Sequence, residues 1–90
     1  MEKIRQRIDQ LDQTIVQLLE ERMQAVEQVV SIKENQHLQV LDEGREQVVL
    51  EKVTQQIANK QFQPAILAIY EEILRSSKDY QTHYLQKKRS

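Results

Sequence analysis

The sequence predicts an all-α chain of three helices, a long first one and two shorter ones, forming a helical homodimer. Glycine and proline each occur once in 90 residues while Glu, Gln, Lys, Leu and Ala abound, so turn chemistry is scarce and helical propensity high. From Ile4 onward, apolar residues also recur at alternating steps of four and three, the spacing of a helical stripe. A chain of this size suits one small domain, read over residues 1–90.

The first helix is predicted over about residues 3–36, with Ile4, Ile8, Leu11, Ile15, Leu18, Arg22, Ala25, Val29 and Ile32 forming a heptad seam that contains one charge. At ~1.5 Å per residue it is about 50 Å long, whereas a compact chain of this size is only ~30 Å across. The helix overshoots its own monomer. A second copy packing along the projecting apolar stripe removes it from water, hence the expected dimer.

The polar stretch Glu34 to Gln39 ends this helix, and Asp42 has the side-chain acceptor of an N-cap, with Glu43 in the positive first turn that follows. The second helix is expected over about 43–59, its start weakened by Gly44, with Val48, Val49, Val53 and Ile57 inward. A short connection containing Phe62 leads to Pro64, which suits the first turn of a third helix because its missing N–H costs nothing there. That helix is expected over about 64–85, with 86–90, including Lys87-Lys88-Arg89, as a frayed tail. Its seam, Leu67, Tyr70, Leu74, Ser77, Gln81 and Tyr84, turns polar partway along.

Composition excludes several classes of function. With 13 Lys+Arg against 14 Asp+Glu and a pI of about 6.1, nothing favours nucleic acid or an anionic membrane as partner. No cysteine means no disulfide, thiolate nucleophile or Cys-ligated zinc; His37 and His83 lack partners at ligand spacing and read as solvated. The sequence calls for no metal and no cofactor. The 15 glutamines are scattered along the chain with Gln55-Gln56 as the one adjacent pair, as on solvated helix faces. The opening Met1-Glu2-Lys3-Ile4-Arg5 has no apolar signal core, and no membrane-length apolar run follows, so a cytoplasmic location is expected.

The informative positions are those where polar groups interrupt a seam: Arg22 in the first helix, Ser77 and Gln81 in the third. Lys33 follows Arg22 by eleven residues, about 1100° of rotation or three turns plus ~20°, so both project from one side. Arg22 alone reads equally as a register-setting residue or as part of an anion site. Ser77 and Gln81 at i,i+4 on another seam favour a ligand pocket, because three polar intrusions into so small a core have little structural use. Asp42, Arg45 and Glu46 by themselves read as capping and surface ion pairs.

Together, Arg5, Glu21-Arg22, Lys33, Asp42-Glu43-Gly44-Arg45-Glu46, Ser77 and Gln81 resemble the all-helical chorismate mutase family in identity and spacing. The resemblance implies an isomerase that rearranges chorismate to prephenate on the route to phenylalanine and tyrosine, and that the homodimer is an intertwined one of three-helix chains. It implies that Arg22, and Arg5 from the partner chain, hold the substrate carboxylates, and that Lys33 and Gln81 donate to the ether oxygen. It further implies that Glu46 and the backbone near Asp42 meet the ring hydroxyl, while Arg45 and Ser77 complete the carboxylate side. Family members often carry Pro after the first helix, where this chain has Gln39.

Helix geometry bears on one of these roles: Arg5 and Lys33 are 28 residues apart, about 42 Å on one helix, too far to share a small ligand within a chain. A pericyclic rearrangement also suits a sequence with no evident nucleophile, metal motif or acid–base His pair. The rivals are an isochorismate-pyruvate lyase, which shares the family's fold, and a non-catalytic helical dimerisation or regulatory module. No feature of the sequence specifies docking to another enzyme of aromatic biosynthesis.

Overall fold

The computed structural model describes residues 1–36 and 43–89, so His37, Gln39 and the expected N-cap Asp42 lie outside the described residues. Helix α1 spans Glu2–Asn35, α2 spans Glu43–Gln56, a 3-10 turn spans Lys60–Phe62 and α3 spans Gln63–Arg89; among the described residues there is no strand. The 34-residue α1 sets the long dimension of a molecule measuring 50 × 25 × 15 Å. The radius of gyration is 15.9 Å, against about 12 Å for a compact chain of this length.

The whole first half of α1 is exposed, residues 1–21 without exception. Seam residues Ile4 at 62% and Leu18 at 57% stand open to solvent, as do Val29 and Ile32 near the other end. The chain instead buries Val26 and Val30. At 100° per residue these lie on a stripe rotated by roughly 80° from the seam, so α1 carries two apolar faces and its own chain covers only one. Arg22 and Lys33 stand at the border between them.

Val53 in α2 and Ile57 just past its end are buried and Val49 half-buried, an i,i+4 series on one side, whereas Val48 is 41% exposed and not inward as its apolar character suggests. One narrow stripe suffices for a helix that packs on α3 alone. The helix ends at Gln56, short of the expected 59, because local polar groups stop it. Lys60 Nζ donates to the Thr54 carbonyl at 2.7 Å, and the Asn59 side chain accepts from Gln61 N–H at 3.0 Å, starting the 3-10 turn. Pro64 lies in the first turn of α3. That helix runs on to Arg89 rather than fraying after 85, since no Gly or Pro follows Pro64 and buried Leu85 anchors its last turns.

Helix α3 is the middle of the fold and packs against both others. Arg22 bonds Ser77 and, further along, Glu27 bonds Tyr80, so α1 and α3 run in the same direction. Glu46 meets Lys78, while Val53 and Ile57 lie by Ile66 and Tyr70, so α2 runs antiparallel to α3. Tyr80 Oη donates to Glu27 Oε2 at 2.5 Å, pinning α3 to α1 and raising the phenol above its ordinary pKa. No described helix is long and apolar enough to cross a membrane.

Val30 is 0% exposed, so removing its two methyl groups leaves a void between α1 and α3. Val30→Ala is expected to cost about 2 kcal/mol, read as a lower urea midpoint at fixed protein concentration, whereas Val48→Ala should stay within ~0.5 kcal/mol.

Candidate active site

The two helices that carry the polar seam positions meet where their seams are interrupted. Arg22 Nη1 donates to Ser77 Oγ at 2.5 Å, and the hydroxyl in turn donates to the Ile73 carbonyl at 2.8 Å. That second bond fixes which lone pairs of the buried Ser77 face the guanidinium, so the serine orients Arg22. An arginine carries ~five N–H donors in a rigid fork, and one held this way presents the rest in a fixed direction.

One turn beyond Ser77, the Oε1 atom of Gln81 is buried with no hydrogen-bond partner. An orphaned amide of this kind costs about 1–3 kcal/mol. Its neutral head can turn over to offer either oxygen or N–H₂, so the position suits a ligand that supplies the missing bond.

These groups open onto a cavity of about 180 Å³ walled by all three helices. Helix α1 contributes Arg22 and Lys33, α2 contributes Arg45 and Glu46, and α3 contributes Ser77, Lys78 and Gln81. Val26, Val29, Val49 and Leu74 form the apolar remainder. Among the described residues, four of the polar lining groups are cations and one is a carboxylate, a balance suited to a small polyanion. The volume lies below the ~300 Å³ at which drug-sized pockets begin, in keeping with a compact metabolite.

Of the residues singled out from sequence, Arg22, Lys33, Arg45, Glu46, Ser77 and Gln81 therefore share one cavity. Asp42 lies outside the described residues. Arg5 is exposed, 17 residues before Arg22 and so about 26 Å up the same helix, and the single chain does not bring it to the cavity. Lys78 lines the cavity although the sequence reading passed over it; its Nζ lies 3.7 Å from Glu46 Oε1. The available signal was its place four residues after Leu74, on the inward face of α3. His83 is exposed, beside Tyr80 and Tyr84 and away from this cavity.

A wider groove of about 550 Å³ adjoins the cavity at Arg22 and Ser77, with Leu19, Met23, Ile69 and Ile73 along it. It is the more apolar recess, but the polar chemistry lies in the smaller one.

A model of the family described as chorismate mutase type II matches residues 4–82. The chain belongs to this family. The matched stretch begins just before Arg5 and ends just after Gln81, so it contains every candidate site residue singled out from the sequence. Comparison with curated proteins and with solved structures gave no match. Membership in the chorismate mutase family carries an isomerase activity, chorismate to prephenate.

Proposed function

We propose that the cavity between the three helices is where chorismate rearranges, and that two copies of the chain build each site. The carrying observation is the convergence of Arg22, Lys33, Arg45, Glu46, Ser77 and Gln81, from three helices and 60 positions of sequence, on one small recess. Arg22, oriented by Ser77, takes one substrate carboxylate, with Arg45 on the same side. Arg5 of a second copy takes the other. Glu46 accepts from the ring hydroxyl, which the backbone near Asp42 also meets. Lys33 and Gln81 donate to the ether oxygen, Gln81 with its amide head turned so that the N–H₂ takes the place of the unpartnered oxygen.

The rearrangement breaks a C–O bond and forms a C–C bond within one molecule, with no proton or covalent intermediate to manage. The protein's contribution is then to hold the flexible dianion folded on itself and to stabilise negative charge growing on the ether oxygen. The exposed seam of α1 and the wider groove beside the cavity supply the apolar surface for a second copy.

The test is to add purified protein to chorismate, follow loss of the ring-diene absorbance and identify the product. Prephenate is expected. Pyruvate released from isochorismate, with chorismate untouched, replaces the reading with a lyase; turnover of neither leaves a non-catalytic module.

Gln81 donates as a neutral amide at any pH, so kcat should be flat between pH 6 and 8. Gln81→Glu must be protonated to donate, and a glutamate near its ordinary pKa of ~4.3 is ionised at neutrality. The variant should therefore lose activity as pH rises from 5 to 8, tenfold or more. A wild-type profile that collapses over that range would remove Gln81 from the ether oxygen.

A further inference from the structure

Lys78 is the cavity residue to which no role has been given. Its ammonium lies 3.7 Å from the Glu46 carboxylate, the two side chains are 36% and 32% exposed, and together they join the α3 wall of the cavity to the α2 wall. The distance decides what this contact is. It is beyond the ~2.7–3.2 Å of an N–H···O hydrogen bond, so the attraction is Coulombic and leaves the lone pairs of Glu46 available to another donor.

Among the described residues, Glu46 is the one carboxylate in a cavity it shares with Arg22, Lys33, Arg45 and Lys78. A carboxylate in such company turns to whichever cation is nearest, and every cation it covers is withdrawn from an incoming dianion. Lys78, on the central helix α3, draws it towards the α3 wall.

From this geometry we propose that Lys78 is a positioning residue: it holds Glu46 against the α3 wall, facing the substrate's ring hydroxyl and off the cations that bind the substrate's carboxylates. The proposal rests on the reading of the cavity as the mutase site. Lys78 touches no reacting atom and acts through Glu46 alone. Its loss should weaken substrate capture while leaving the chemical step.

The experiment is a double-mutant cycle on the full chain, with Lys78→Met made in the wild-type and Glu46→Gln backgrounds and kcat and KM measured separately. For an ion pair this exposed, Lys78→Met in the wild-type background should raise KM about three- to fivefold with kcat within about twofold. Lys78→Arg, which keeps the charge, should return KM to within about twofold of wild type. In the Glu46→Gln background Lys78→Met should change KM by less than about 1.5-fold, because the group it acts on is gone. An unchanged KM in the first background, or the same multiple in both, overturns the proposal. Should Lys78→Met lose its helical signal, Lys78→Gln carries the same comparison. Failure of the mutase reading is visible earlier, as a wild-type protein that does not turn over chorismate, and the role of Lys78 falls with it.

Discussion

Lys33→Ala is expected to lower kcat by about 10²–10³-fold while leaving the far-UV helical signal unchanged. In the proposed site the ether oxygen becomes more negative as its bond to carbon lengthens, and a cation fixed beside it is worth more in the transition state than in the bound substrate. An interaction of that kind appears in kcat rather than KM. Lys33 stands on the rigid α1, at the border between its two apolar faces, with Val26 and Val29 among its neighbours in the cavity wall. A cation so held needs no reorganisation as charge develops. Arg22→Ala should differ in form: KM should rise as well, because the same guanidinium binds a carboxylate in the ground state, and Ser77 loses its interhelix partner. Steady-state kinetics on chorismate, with circular dichroism on each variant, checks both. Near-normal kcat for Lys33→Ala would leave the ether oxygen without its main cation and would end the electrostatic account.

How much of this was legible in the sequence depended on whether a residue broke a pattern. Arg22, Ser77 and Gln81 stood out because each is polar where the stripe demands an apolar group, and all three face the cavity. Lys33 followed from its angular relation to Arg22. Lys78 broke nothing: a lysine among charged residues on a helix reads as solvated, and only the packing of α2 on α3 shows that it meets Glu46. The second apolar face of α1 was hidden for a related reason. Val26 and Val30 adjoin the seam residues Ala25 and Val29 in sequence, and periodicity cannot say which of two neighbouring apolar stripes the chain covers with its own helices. Val48 was misassigned inward on the same ground, β-branched and apolar but ~100° from the stripe Val49, Val53 and Ile57. The end of α2 depended on Asn59 and Lys60 bonding backbone groups nearby, a competition decided by short-range geometry rather than by composition.

The strongest test of a shared site is complementation between two dead proteins. Arg5→Ala and Lys33→Ala should each lose at least about 100-fold in activity alone. Unfolded together in equal amounts and refolded, they should recover about one quarter of wild-type activity, because half of a random dimer population is mixed and each mixed dimer has one intact site of two. In that site Lys33 comes from the Arg5→Ala chain and Arg5 from the Lys33→Ala chain. The reasoning depends only on helix geometry: with Arg5 and Lys33 on one continuous α1 spanning Glu2–Asn35, some 42 Å separates them, and no bend in this helix brings them to one ligand. An exposed α1 seam running from Ile4 to Leu18 provides the surface along which a second copy can place its own Arg5 near the first copy's cavity. If each chain instead held a complete site, the mixture would show only the summed residual activities of its parts, and the same result from a protein that sediments as a monomer would place Arg5 outside the site altogether.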